Sequence, residues 1–377
     1  MKQQYRFSAP GRTEISGNHT DHQHGCVLAA AVDLETIADV EQNGTDEIRV
    51  FSEGYPDVCI SLKDLAARPE EQNTTAALVR GVAAEFVRRG ATLQGFDAKV
   101  QSNVLPGSGL SSSAAFEVLI GTILNELFFE KKLTDIEIAQ FGQYAENVYF
   151  GKPCGLMDQM ASSVGGMVFI DFEDPAHPVV EKIDYDFAKT GYAMCIIDCG
   201  ADHAELTDEY AAIPQELRQV CEFFGEEVLR KVPESEFFAA LPSLRQVCSD
   251  RAILRAIHIY QENRRVRRQV RTLKCGDFDE FLRLVNESGR SSWMYLQNIS
   301  PAGQIQRQPV AFALALCDSL LQGQGAFRVH GGGFAGTIQA FVPKADLKRF
   351  KIGVESVLGA SSCHVLNIRP QGGIRLL

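Results

Sequence analysis

Residues 104–129, VLPGSGLSSSAAFEVLIGTILNELFF, place two glycines directly before a helix-forming run, and this order restricts the local fold. Gly107 and Gly109 allow a tight turn that leaves backbone N–H groups exposed. Ser111–Ser113 then open a helix whose apolar residues recur at helical spacing. Backbone donors and the positive end of the helix dipole converge at this point. The segment therefore predicts a cradle for an anion such as phosphate.

This cradle differs from the two common phosphate-binding motifs. The chain has no G-x-x-x-x-G-K-[ST] loop, and the third glycine of the dinucleotide fingerprint is missing. A glycine turn followed by a serine N-cap, without any ligand, is the alternative interpretation of the same residues.

Composition limits the classes of partner and compartment. The net charge of −11 disfavours nucleic acid and anionic membranes as partners. The 10 cysteines lack the paired short spacings of a zinc site, which favours free thiols and a cytoplasmic protein. No apolar run approaches the ~18 residues of a membrane helix, and the N-terminal residues lack a signal peptide's apolar segment.

The pattern of strands and helices predicts an α+β chain of two domains. Runs such as IADVEQ, IRVFS and FDAKVQS predict a mixed sheet, and TAALVRGVAAEFVRRG predicts a helix that covers it. Residues 207–290 read as charged amphipathic helices, including a basic run at 264–271 that we interpret as a solvated face. The boundary is placed near 175–190, giving domains 1–180 and 181–377.

The N-terminal run SAPGRTEISGNHTDHQHG is unusually polar and reads as a Gly/Thr-rich loop. Its three histidines, His19, His22 and His24, raise the alternative of a metal site. No carboxylate or cysteine stands at helical ligand spacing with them, so a metal site is disfavoured.

Two further segments carry candidate chemistry. Glu146 and Asp158 are acids among apolar or small residues, and such a carboxylate can accept a proton or hold magnesium. Asp158 could equally be a helix N-cap. Gly331–Gly333 allow the backbone to pass close to another group, although a tight loop between elements would explain them as well.

Taken in order, these segments resemble the galactokinase family of the GHMP kinase superfamily, which also contains homoserine, mevalonate and phosphomevalonate kinases. The resemblance spans nearly the whole chain. It rests on G-R-x(5)-N-H-T-D, P-G-x-G-L-S-S-S-A-A, AEN…GKPCGLMDQ, LTDEY, ENRRV and G-G-G-F-x-G.

The resemblance implies a fold and a set of residue roles. It implies an N-terminal sugar- and ATP-binding domain with a mixed sheet like domain 2 of ribosomal protein S5. A C-terminal ferredoxin-like domain would follow, with the active site between them. Arg12 and Asp158 look like the catalytic pair, and Ser113 and Glu146 like the Mg²⁺ ligands. The implied phosphate loop is Gly107, Ser108, Gly109, Leu110, Ser111, Ser112 and Ser113, and the implied sugar contacts are Asn18, His19, Asp21, Gly155 and Tyr210.

The family usually has glutamate at the position of Asn18, where it contacts the sugar's C6 hydroxyl. Asn18 is therefore the departure that most affects the choice of sugar, with His330 and Asn147 as lesser ones. We expect a monomeric kinase that phosphorylates the anomeric hydroxyl of galactose with ATP and Mg²⁺. The alternatives are a kinase for galacturonate or N-acetylgalactosamine, and a non-catalytic galactose sensor.

Overall fold

The larger of two sheets is mixed and contains eight strands. The computed structural model describes residues 4–104, 109–200 and 206–377. The strands of this first sheet are β1 (Gln4–Ser16), β2 (Cys26–Gln42), β3 (Glu47–Ser52), β4 (Val58–Ser61), β5 (Phe96–Ser102), β6 (Met167–Asp171), β7 (Val179–Ile183) and β12 (Ile374–Arg375). They run in the order β12-β1-β2-β5-β3-β4, and β6 and β7 extend the sheet from β2.

Strands β1 and β2 are the longest pair in this sheet. They pair antiparallel from Gln4 opposite Glu41 to Ser16 opposite Leu28, with register shifts between Pro10 and Arg12 and again near Ser16. Such irregularities bend a strand and re-aim its side chains. The sequence predicts a loop for the polar run 8–25; for residues 8–16 that prediction is wrong, because long-range pairing holds them in a strand.

Four helices cover one face of the first sheet. They are α1 (Thr75–Arg88), α2 (Ser112–Phe128), α3 (Asp135–Tyr144) and α4 (Met157–Val164), with a π-helical turn at Ala145–Phe150 between the last two. Phe86 of α1 and Val118 of α2 pack with Phe7 of β1 in one apolar core. The amphipathic helix predicted at the position of α1 is confirmed, as is the helix start after Ser111.

The second sheet has four antiparallel strands, β8 (Tyr192–Asp198), β9 (Ala326–Val329), β10 (Thr337–Pro343) and β11 (Cys363–Leu366). Their spatial order is β11-β8-β10-β9, and α11 (Leu347–Leu358) connects β10 to β11. This is the β-α-β-β-α-β arrangement of ferredoxin-like folds, with an enlarged first helical connection. The ferredoxin-like expectation is therefore confirmed.

The enlarged connection consists of α5 (Thr207–Phe223), α6 (Glu234–Ala239), α7 (Leu241–Val247), α8 (Asp250–Cys275), α9 (Phe278–Ser291) and α10 (Pro309–Leu321). Val266 of α8 and Phe281 of α9 share a core with Ile15 of β1 and Met194 of β8. One apolar cluster thus joins the two sheets. The basic run lies in α8. Arg265 within this run is buried and paired with Glu262, so the interpretation of the run as a solvated face is wrong for that residue.

Across the three described ranges, no helix combines the length and apolar character needed to span a bilayer.

Candidate active site

Arg12 and Asp158 form a two-pronged ion pair between β1 and the first turn of α4. Arg12 Nε donates to Asp158 Oδ1 at 2.7 Å, and Nη2 donates to Oδ2 at 2.6 Å. The Arg12 side chain is 7% exposed and that of Asp158 33%, so the carboxylate is the member that solvent or a ligand can reach. Two parallel charge-assisted bonds fix both groups in one plane.

The Asp158 carboxylate is held in its ionised form. Burial favours its protonation, but the charge and hydrogen bonds of Arg12, with a hydrogen bond from Ser111 Oγ, lower its pKa below the usual 3.8. The position in the first turn of α4 adds the positive end of a helix dipole. Asp158 therefore carries a negative charge throughout the neutral pH range.

Three of the predicted phosphate-loop residues, Gly109, Leu110 and Ser111, are hydrogen-bonded directly to this pair. The backbone N–H of Arg12 donates to Leu110 O at 3.0 Å, and Arg12 Nη1 donates to Gly109 O. Ser111 occupies the N-cap of α2 in a left-handed conformation with a φ of 57°, and its hydroxyl bonds Asp158. The predicted anion cradle thus adjoins the predicted catalytic pair; Gly107 and Ser108 lie outside the described residues.

Ser113 and Glu146, the predicted magnesium ligands, lie side by side. Ser113 Oγ donates to Glu146 Oε1 at 3.3 Å, and Lys152 Nζ lies 3.4 Å from the same oxygen. Glu146 is 3% exposed and belongs to the π-helical turn, a distortion common at functional sites. A hydroxyl and a carboxylate are hard oxygen donors of the kind Mg²⁺ takes. The described residues contain no group of three or more His, Cys, Asp or Glu arranged to hold a metal ion.

Sequence reasoning missed the support behind Glu146. Gln159, adjacent to Asp158 on α4, is fully buried and donates through Nε2 to Glu146 Oε2 at 2.8 Å and Glu117 Oε2 at 2.9 Å. Burial, together with the nearby Glu146, raises the pKa of Glu117 well above its usual value. The GLMDQ motif was the available signal, since its glutamine directly follows Asp158, the predicted catalytic aspartate.

Four of the five predicted sugar residues take part in two close approaches. Asp21 lies against Gly155, and His19 and Tyr210 lie against Gly332. A Cβ on Gly155 would stand 2.3 Å from Asp21 Oδ2, so only glycine lets the chain approach that carboxylate. Likewise, a Cβ on Gly332 would stand 2.5 Å from Tyr210 Cε1. His19 has a left-handed φ of 60° and places Nε2 3.0 Å from Gly332 O. Burial lowers the pKa of His19 to about 4, so its ring is neutral near pH 7.

Asn18 is placed differently from the other sugar residues. Its side chain is fully buried and has four protein partners. Nδ2 donates to Gly331 O at 2.6 Å and Glu14 Oε1 at 3.3 Å, while Oδ1 accepts from Asn298 at 2.8 Å and Ser292 at 3.2 Å. A hydrogen bond from Asn18 to a sugar would have to replace one of these. A direct sugar contact by Asn18 stays a prediction.

His330, a departure from the family pattern, is a buried neutral residue near the Arg12–Asp158 pair. Its Nε2 accepts from the Glu14 N–H at 3.3 Å, so Nδ1 carries the proton, which points to Thr337 Oγ1 at 2.9 Å. Burial first, and then the charges of Arg12 and Arg328, hold the pKa of His330 well below 6.5. Asn147, the other departure, accepts from the Cys154 N–H at 2.7 Å and so fixes the residue before Gly155.

Models of known protein families match two parts of this chain. The model described as GHMP kinases N terminal domain matches residues 77–166. The model described as Galactokinase galactose-binding signature matches residues 2–41. The first match includes α2, Glu146 and Asp158, and the second includes Arg12 and the predicted sugar residues 18–21.

Solved kinases share the whole fold at low sequence identity. The galactokinase of Lactococcus lactis, complexed with galactose, has a TM-score of 0.83 at 23% identity, covering 99% of this chain and 95% of that one. A D-glycero-D-manno-heptose 1-phosphate kinase from Bacteroides thetaiotaomicron has 0.66 at 16%, covering 99% of each chain. The mevalonate kinase of L. major with R-mevalonate has 0.65 at 15%, covering 99% and 100%. Residues 77–166 of the chain therefore match the GHMP kinases N terminal domain, residues 2–41 match the galactokinase galactose-binding signature, and the whole fold is similar to that of these solved kinases.

Proposed function

We propose that the protein is a galactokinase that transfers the γ-phosphate of ATP to the anomeric hydroxyl of D-galactose, giving α-D-galactose 1-phosphate and ADP. The observation that carries this proposal is the Arg12–Asp158 pair, hydrogen-bonded to residues 109–111 at the start of α2. Arg12 belongs to the region that matches the galactokinase galactose-binding signature, and Asp158 belongs to the region that matches the GHMP kinases N terminal domain.

Asp158 is the group that would take the proton from the sugar. In the transfer, the anomeric oxygen forms a bond to the γ-phosphorus, the bond from that phosphorus to the β–γ bridging oxygen breaks, and the hydroxyl proton goes to the Asp158 carboxylate. Oδ2 already accepts two hydrogen bonds and Oδ1 accepts one, so Oδ1 has the greater capacity for another donor. Arg12 would stabilise the negative charge that develops on the reacting oxygens.

The start of α2 is the place for the triphosphate. Ser111 directs its hydroxyl to Asp158, not to the helix end, so its side chain does not cap α2. The first N–H groups of the helix, at Ser112 and Ser113, then suit phosphate oxygens. Ser113 and Glu146 would hold Mg²⁺, which neutralises charge on the phosphates when bound. Transfer of this kind depends mainly on positioning and charge.

The sugar would lie between the β1–β2 connection and the glycine loop at Gly331–Gly333. Asp21, beside Gly155, offers a carboxylate for sugar hydroxyls, and His19 and Tyr210 border the same space. We also propose a cytoplasmic location and a monomer. All ten cysteines lie in described ranges and none forms a disulfide there, which fits a reducing compartment.

The test is a sugar panel with ATP and Mg²⁺, containing galactose, galacturonate, N-acetylgalactosamine and glucose. ADP release gives kcat/KM, and phosphorus NMR identifies the product. We expect the highest kcat/KM for galactose and a product phosphorylated at C1. A higher value for galacturonate or N-acetylgalactosamine would assign the protein to a sibling kinase, and galactose binding without ADP release would indicate a sensor.

A further inference from the structure

The three glycine carbonyls of residues 331–333 all accept hydrogen bonds from side chains of other segments. Asn18 Nδ2 donates to Gly331 O at 2.6 Å, and the Tyr210 hydroxyl donates to Gly333 O at 2.6 Å. His19 Nε2 lies 3.0 Å from Gly332 O, and because a carbonyl only accepts, this nitrogen carries the proton. The backbone carbonyl groups of this glycine loop are therefore hydrogen-bonded to three of the predicted sugar residues.

Asn298 fixes the loop from its other side. Its Nδ2 donates to Gly332 O at 3.1 Å and to Asn18 Oδ1 at 2.8 Å. The backbone carbonyl oxygen of Asn298 accepts a hydrogen bond from the Phe334 N–H at 2.6 Å. The residue is fully buried, and a Cβ on Gly333 would stand 2.1 Å from the Asn298 carbonyl oxygen. The loop and Asn298 therefore pack without room for a side chain.

Asn18 and Asn298 thus form a connected pair that spans the N- and C-terminal parts of the chain. Asn18 follows β1, and its backbone carbonyl lies 3.0 Å from His258 Nε2 of α8. Asn298 follows the π-helical turn Ser292–Leu296, whose Ser292 hydroxyl also bonds Asn18. All these groups are buried, where losing one hydrogen-bond partner is costly.

We propose that Asn18 and Asn298 are positioning residues that hold the backbone of Gly331–Gly333 as one wall of the sugar site. By fixing that wall they fix the orientation of His19 and Tyr210, whose polar atoms bond to it. This inference rests on the proposed function for the identity of the sugar. It assigns Asn18 an indirect effect on sugar affinity, in place of a contact with the sugar.

Substitutions at the pair, with a matched control, test the proposal. The variants are Asn298→Ala and Asn18→Ala. The control is Asn286→Ala: Asn286 bonds Gly325 O at 3.2 Å and the Phe327 N–H at 3.1 Å, at the opposite end of β9. The control removes the same kind of side chain-to-backbone bonds near another glycine, away from the proposed sugar site.

Galactose affinity is measured by calorimetry without nucleotide, and steady-state kinetics give KM and kcat. For the two test variants we expect galactose Kd and KM to rise roughly five- to hundredfold, the range for losing a buried hydrogen bond. We expect kcat and ATP affinity to change less than about threefold, because neither asparagine contacts Arg12, Asp158 or α2. Asn286→Ala should keep wild-type galactose affinity. Test variants with wild-type affinity would overturn the proposal.

Hydrogen exchange gives a readout that needs no sugar. The Phe334 amide, bonded to the Asn298 carbonyl, should exchange slowly in the wild type and faster in both test variants, but not in Asn286→Ala. If wild-type protein bound no galactose, the proposed function would fail while exchange still decided the role of the pair. Wild-type exchange at Phe334 as fast as in the exposed segment 303–308 would overturn the proposal even if the variants did not fold.

Discussion

Replacing Asp158 by asparagine removes the charge and the proton acceptor while keeping the shape of the side chain. In the native protein, three donors bond this carboxylate, two from Arg12 and one from Ser111. An asparagine keeps one acceptor oxygen and turns an N–H group toward a donor of Arg12 or Ser111. The variant therefore loses a base and at least one charge-assisted hydrogen bond.

The size of the effect follows from these losses. A positioned general base contributes about 10²–10⁴ to the rate, which is roughly 2.7–5.4 kcal/mol of activation free energy. Asp158 is one-third exposed, so water can solvate the guanidinium left behind, and we expect the unfolding free energy to fall by about 1–3 kcal/mol, less than for a fully buried pair. Galactose affinity should change less than about threefold, because the hydrogen bonds of His19 and Tyr210 do not involve Asp158.

The assay is ADP release at saturating galactose and ATP, combined with galactose calorimetry. Asp171→Asn is the matched control, because Asp171 is likewise an aspartate paired with arginine, in its case Arg230 at 3.2 Å and Arg267 at 2.8 Å. The control should keep kcat within about threefold of wild type, so a similar loss in both variants would indicate a general effect of breaking an ion pair.

Two results would refute the reasoning. One is an Asp158→Asn enzyme with kcat within tenfold of wild type, which would leave Asp158 with no role as a base. The other concerns pH: because the pKa of Asp158 lies below 3.8, its ionisation should not limit kcat above about pH 5. A limb of the kcat profile near pH 6–7 that disappeared in Asp158→Asn would contradict the lowered pKa.

Three further predictions concern the residues around the pair. Ser111→Ala removes one donor to Asp158, and kcat should fall about tenfold in the ADP assay with little change in galactose KM. Gln159→Met removes the amide that holds Glu146, and Mg²⁺ titration, with Mn²⁺ binding followed by EPR, should show cation affinity reduced about 10- to 100-fold. Because the pKa of His330 is depressed in the fold, the unfolded chain binds this proton more readily, and the free energy of unfolding falls by about 1.4 kcal/mol per pH unit as the pH drops below ~6.5. His330→Gln should lack that slope in urea unfolding at pH 5–7; equal slopes would contradict the buried neutral imidazole.

Local sequence patterns were sufficient to predict helices whose formation depends on residues close together in the chain. The helix at α1 followed from Leu78, Val82 and Phe86, which recur at helical spacing and are buried against the first sheet. The start of α2 after Ser111 followed from the Gly-Ser sequence. The proximity of Arg12 and Asp158 came from the family resemblance, since nothing local to either residue indicates a partner 146 positions away.

The remaining features depend on partners distant in sequence. The polar run after Arg12 looked like a loop because its polar residues are paired only in the folded chain, as Glu14 is with Arg328 and Ser16 with Glu262. Asn18 looked free to bind a sugar for the same reason. Its partner Asn298 comes 280 positions later and belongs to no motif that would single it out.

The pairing of β12 with β1 has a consequence for synthesis. Phe7 faces Arg375 and Ser8 faces Ile374 in the first sheet, and Val32 forms an isolated bridge with Ile368. A ribosome that adds about 5–20 residues per second needs tens of seconds to make the intervening chain. During that interval the outer edge of β1 is uncovered at Phe7 and Ser8, so the nascent protein presents these unpaired backbone groups to chaperones or to other nascent chains until residues 374–375 are made and pair with them.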